Sequence, residues 1–169
     1  MAQILKLRGP RAASEFRLAK LATALKRLDP AVRAVNAEYW HFVELEGELS
    51  AAQRGVLERL LDYGPRAPAS TPSPSGTLYL VVPRLGTLSP WSSKATDIAH
   101  NCGLGAIRRI ERGTAYTVDS AKPGIAALLH DRMTETVLSS LDAAEQLFQH
   151  VPPRSLKTIA RELNAPVVA

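Results

Sequence analysis

The segment PRAPASTPSPSG, residues 65–76, carries Pro65, Pro68, Pro72 and Pro74 and no large apolar side chain. It has nothing to bury, so it reads as an extended linker that divides the chain in two. The hydrophobic pattern runs in the same order on both sides of it. Before the linker, alternation over 3–8 predicts a strand ended by Gly9-Pro10. Leu18, Leu21, Ala22, Leu25 and Leu28 recur at helical spacing between a Ser14 cap and an Asp29-Pro30 stop. A long strand spans 32–46, with Trp40 and Phe42 interrupting its polar parity, and a second helix opens at Ser50 and closes at Gly64-Pro65. After the linker come a strand over 77–82, a helix over about 92–102, a strand over 107–118 with a bulge expected at Gly113, and a helix from Pro123-Gly124 to about Arg132. MTETVLSSL fits strand or helix, and DAAEQLFQH is helical.

The pattern β-α-β-α, linker, β-α-β-α repeats after about 73 residues, comparing Ile4 with Thr77. The predicted fold class is α+β: duplicated β-α-β-α units forming an antiparallel or mixed sheet with helices packed on one face. Residues 1–64 form the first half, 65–76 the linker, 77–150 the second half and 151–169 a tail. At 169 residues with 46% hydrophobic and 22% charged side chains, the chain can bury one core and is far from the composition of disorder. It has no apolar run of the roughly 18 residues that a membrane span requires, and no secretory h-region opens it, so a cytoplasmic location and no membrane partner are expected. A lone cysteine, Cys102, excludes an internal disulfide and a thiolate metal cluster.

The net charge of +5 raises the question of an anionic partner. Arg8, Arg11, Arg17, Lys20, Lys26 and Arg27 fall in the first half and read as a solvated face. Arg84, Lys94, Arg108, Arg109 and Arg112 surround the stretch PRLGTLSPWSSKATDIAHNCGL, residues 83–104, where a phosphate-bearing ligand becomes conceivable. A free-standing basic nucleic-acid-binding module is the alternative. Such modules interleave exposed aromatics with basic residues, whereas aromatics are 5% of this chain and lie mostly on apolar parity.

Within 83–104 the helix places Ala95, Ile98, Ala99 and Cys102 at i, i+3, i+4 and i+7, a stripe expected to face the core with Cys102 buried and inert. Ser92 or Ser93 is the expected cap, Gly103 the left-handed terminator, and Lys94, Asp97, His100 and Asn101 the outward face. Asp97, His100 and Ser93 do not meet the geometry of a nucleophilic triad, because the serine lacks a strained elbow. His41 and His130 have no companions at metal-ligand spacing and read as structural. The loop before the helix joins Pro83, Arg84, Gly86, Thr87, Ser89, Pro90 and Trp91, and three readings stay open for it: a packed connector, a dock led by Trp91, or an anion site at the helix N-terminus.

PRLGTLSPWSSKATDIAHNCGL, followed by IRRIERGTAY and LLHDRMTETVL, resembles the N-terminal domain of the large single-chain phosphoribosylformylglycinamidine synthases of purine biosynthesis. The similarity extends back through AEYWHFVELEGELS and RLLDYGP and forward to DAAEQLF, covering roughly residues 2–150. That resemblance implies a domain built like a fused pair of the small subunits of the split enzyme. It further implies an ATP-dependent carbon–nitrogen ligase that takes ammonia from glutamine and converts formylglycinamide ribonucleotide to its amidine. Its synthetase and glutaminase domains would be the partners, in the same polypeptide or missing, with the ribonucleotide nearby and no nucleic acid. No position here matches the family's ATP, magnesium or glutamine sites, so no cofactor is expected in this chain and none of its residues is expected to be catalytic. The chain is expected to be part of a longer enzyme and inactive alone. Candidates for domain docking or substrate proximity are Arg84, Thr87, Ser89, Trp91, Ser92, Ser93, Lys94, Asp97, His100, Asn101, Arg109 and Arg112.

Overall fold

A computed structural model describes residues 3–66, 76–149 and 155. The described residues form an α+β fold with five antiparallel strands in the order β1-β2-β4-β3-β5, where β1 is Gln3–Arg11, β2 Val35–Leu45, β3 Thr77–Pro83, β4 Ile107–Val118 and β5 Glu135–Leu138. β1 pairs with β2 and β3 with β4, and β2 lies antiparallel to β4. At the middle of that ladder Trp40 pairs with Gly113. The expected mixed alternative is absent among the described strands, all of which pair antiparallel.

Pleating sorts the side chains. Val35, Tyr39, His41, Val43 and Leu45 share one face with Ile110, Arg112, Tyr116 and Val118 of the neighbouring strand. Among the described residues, four α-helices pack on that face. Leu57 and Leu61 at α2 (Ala51–Leu60) join Ala99 of α3 (Pro90–Asn101) in a cluster over Val43, Leu45 and Ile110. Leu25 of α1 (Glu15–Leu28) joins Ile125 and Leu129 of α4 (Ile125–Leu129) over Val81 and Val118. The opposite face holds Phe42, Leu80, Val82 and Ala115, covered by a 3₁₀ helix, Asp142–Phe148, through Ala144 and Leu147. Trp40 and Phe42 interrupt the polar parity of β2 because this second, smaller core needs them.

Helix starts follow local hydrogen bonding. Ser14 Oγ accepts Arg17 N–H at 3.4 Å, and Ser50 and Gln53 close a reciprocal capping box, with N···O distances of 3.2 and 3.0 Å. Ser89, and not Ser92 or Ser93, caps α3, and Pro90 takes the first helical position, where its missing N–H is harmless. Gly103 does end this helix at φ 81°.

Other sequence expectations need correction. β1 does not stop at Gly9-Pro10 but continues to Arg11, with a register shift between Arg8 and Arg11. An edge strand tolerates a proline whose donor is missing. Gly113 makes no bulge and stays in register opposite Trp40; its lack of a side chain matters for packing instead, since a Cβ there would stand 3.0 Å from Val82 Cγ1 and 3.2 Å from Val81 O. The irregularity falls instead between Glu44 and Leu45, opposite Arg109 and Ile107. The helix after Gly124 ends at Leu129, and the ambiguous stretch resolves as β5. Most of the proline linker, 67–75, and all but residue 155 of the tail expected over 151–169 lie outside the described residues.

Candidate functional site

The stretch 83–104 leaves the end of β3 and returns as α3 along β4. Its loop is held by a polar clamp. Ser89 Oγ accepts Ser92 N–H at 3.0 Å and donates to Glu111 Oε2 at 3.1 Å, beneath the helix start. Glu111 is fully buried on the opposite face of β4 and is matched by Arg109, whose Nε donates to Oε1 at 3.1 Å. The rest of the Arg109 guanidinium donates to Thr87 O at 2.7 Å and to Leu147 O at 2.9 Å, and it lies 5.5 Å from the Phe148 ring. One arginine thus ties the loop, the strand and the 3₁₀ helix together. Thr87 closes the turn from its own side, donating to Arg84 O at 2.6 Å.

Helix α3 is rotated from its expected orientation. The residues turned inward are Ser92, Ala95, Thr96 and Ala99; Thr96 Oγ1 accepts Ile110 N–H at 3.1 Å. These short side chains let the helix lie close on β4. Ile98 is 45% exposed and Cys102 is exposed, so the buried, inert thiol expected there is not found. Lys94, Asp97 and Asn101 do face outward. His100 is also exposed but is tied down, its Nε2 bonding Ile107 O at 2.6 Å. Ser93 Oγ reaches only its own helix's Ser89 O at 3.5 Å, and no Ser–His–Asp relay forms among these residues.

Trp91 does not project as a bare surface. It is half-buried, stacked on His41 with ring centroids 5.7 Å apart, and covered by the Arg112 guanidinium 4.6 Å from its ring. Arg112 lies equally over Tyr39, at 4.2 Å, and donates to Tyr63 Oη at 3.3 Å. Tyr63 Oη is 2.7 Å from His41 Nε2. With Arg112 donating to the phenol oxygen, the phenol proton is free to go to Nε2, which leaves the imidazole proton on Nδ1. Nδ1 has no hydrogen-bond partner among the described residues. Burial, and secondarily the charge of Arg112, push the His41 pKa down to about 4, so the ring is neutral at physiological pH. Burial raises the Tyr63 phenol above its usual range, with Arg112 opposing. Gly9 completes the packing from β1, since a Cβ there would meet His41 Cε1 at 2.6 Å.

Arg112 is among the sequence candidates, but Tyr39, His41 and Tyr63 are not. Parity on β2 would have put Tyr39 and His41 beside Arg112; the Tyr63 contact depends on where the chain leaves α2. A cleft of about 450 Å³ lies along the 84–89 loop, between Arg84, Thr87, Leu88 and Ser89 on one side and Met133 to Glu135 on the other. Leu88 is 58% and Met133 76% exposed at its rim.

The family of formylglycinamide ribonucleotide amidotransferase N-terminal domains matches residues 38–148. The chain belongs to that family. It is an N-terminal domain of phosphoribosylformylglycinamidine synthase, an enzyme of purine biosynthesis. Both the clamp of Arg109 and the Trp91 cluster fall inside the matched residues. Among the described residues, no helix of this amidotransferase N-terminal domain is long and apolar enough to cross a membrane, and no group of three His, Cys, Asp or Glu side chains is placed to hold a metal ion.

Proposed function

We propose that this domain is a docking and substrate-adjacent element of an ATP- and glutamine-dependent carbon–nitrogen ligase that converts formylglycinamide ribonucleotide to its amidine. The observation that carries the reading is the clamped loop 84–89. Its backbone is fixed by Arg109 and Ser89, while Leu88 and, across the cleft, Met133 turn large apolar side chains to solvent. An isolated surface gains nothing from exposing both residues beside a rigid turn; a partner domain that covers them removes their apolar area from water. The synthetase and glutaminase domains are the partners in this reading, and ATP, magnesium and glutamine are handled there. Arg84 and Lys94, exposed and without a carboxylate partner among the described residues, are the cations available to a ribonucleotide phosphate near that seam. The division into two β-α-β-α halves joined at β2 and β4 belongs to the same proposal, the halves being a duplicated small subunit.

The full-length enzyme tests it. A charged hydrogen bond to phosphate contributes about 1.5–3 kcal/mol, so Arg84→Ala or Lys94→Ala should raise KM for the ribonucleotide roughly ten- to a hundredfold with a smaller effect on kcat. Leu88→Asp with Met133→Asp should weaken association of this domain with the remaining domains supplied as a separate chain. Unchanged kinetics in the first pair removes the substrate role, and unchanged association in the second removes the dock.

A further inference from the structure

Between α2 and α3 lies a cleft of about 260 Å³, on the helical face and separate from the docking loop. Its walls are apolar: Leu60, Leu61, Ala95, Ile98 and Ile110. The polar side chains at it are Tyr63, Arg112 and, on the α3 side, Lys94.

The charge at this cleft is unbalanced. Arg8, Arg54, Arg66, Arg108 and Arg109 each have a carboxylate within ion-pair distance. Arg112 has none among the described residues, although it is half-buried and lies over the rings of Tyr39 and Trp91. Its one described protein acceptor is the Tyr63 hydroxyl. Aromatic faces stabilise a guanidinium but leave its edge, where the N–H donors are, for an acceptor in the plane. A cation drawn partly out of water and held rigid without a counter-ion is an arrangement that an incoming anion completes.

We propose that the α2–α3 cleft binds a small organic anion with a flat apolar body, its carboxylate or phosphate on Arg112 and Lys94 and its body against Trp91 and Ile98. The volume is below the roughly 300 Å³ at which drug-sized sites begin, which favours a single-ring acid over a nucleotide. Planar geometry favours a bidentate carboxylate on the guanidinium edge. This inference does not depend on the docking proposal, since it concerns the 169-residue chain alone.

Trp91 is a built-in reporter. The only other tryptophan, Trp40, lies on the opposite face of the sheet, so Trp40→Phe isolates the signal. Benzoate titrated into that variant should change Trp91 emission with saturation below about 10 mM. Benzamide, the neutral isostere, and acetate, which lacks the ring, should each bind at least about tenfold more weakly. Arg112→Met should lose about tenfold or more in benzoate affinity. Because Arg112 also packs over these rings, Ile98→Glu serves as a second variant: it sits at an exposed lip, leaves the core untouched, and should abolish benzoate binding by placing a fixed carboxylate beside Lys94. Absence of saturable binding, equal affinity for benzamide and benzoate, or benzoate binding that survives Ile98→Glu would each overturn the proposal.

Discussion

Lowering the pH should destabilise this domain through one side chain, His41. The ring is fully buried, and its pKa falls from an ordinary 6.5 to about 4, chiefly because burial strips water from the charged form and then because Arg112 repels it. Between those values the unfolded chain binds a proton that the native state refuses. The stabilising contribution is therefore complete above pH 6.5 and is lost as pH falls toward 4. A tenfold difference in proton affinity corresponds to about 1.4 kcal/mol, so the whole window amounts to about 3 kcal/mol, of which roughly 2 kcal/mol disappears between about pH 7 and about pH 4.5. Exposed carboxylates also protonate there, so the comparison must be with His41→Gln, which keeps an acceptor for the Tyr63 hydroxyl and carries no charge at any pH. Urea unfolding of both proteins at the two pH values gives the test. Wild type should lose about 2 kcal/mol more than the variant. Equal losses would mean that the imidazole is solvated or already paired, and the account of the Trp91 cluster as a dry, cationic environment would fall with it.

Two further outcomes probe the clamp and the rotated helix. Arg109→Leu leaves Glu111 buried without its cation and should cost about 3–5 kcal/mol in urea unfolding, whereas adding Glu111→Leu should recover much of that loss; no recovery in the double variant would show that the uncompensated carboxylate is not the cause of the loss. Cys102, exposed at the end of α3, should react with a disulfide reagent in the native state at a rate close to that of the unfolded chain, and a rate slowed by orders of magnitude would restore the buried thiol.

What could be read along the chain was whatever depends on near neighbours. Ser14 and Ser50 cap their helices because a hydroxyl reaches the third amide onward from any position that starts a turn, and Gly103 reverses the chain because only glycine takes its positive φ without strain. Alternation in 32–46 and 107–118 announced strands, but that Trp40 and Phe42 belong to a second core on the opposite face came only from the fold. The motif-rich stretch 83–104 pointed to the family, and the match over 38–148 bears that out.

Where distant segments compete, local pattern was silent or misleading. Periodicity alone could not choose between the stripe of Ile98 and Cys102 and the stripe of Ser92, Ala95, Thr96 and Ala99, because both have helical spacing; the close approach of α3 to β4 selected the smaller side chains. Gly113 has the look of a bulge along the chain, yet Val82 and Val81 occupy the space its side chain would need. The arginines show the same division. Composition counts them as equal charges, yet Arg109 is enclosed by Glu111, Thr87 and Leu147 while Arg112 lies over two aromatic rings with no carboxylate partner among the described residues. Charge is a property of the residue, but whether that charge is balanced depends on which segments the fold brings within a few ångströms of it.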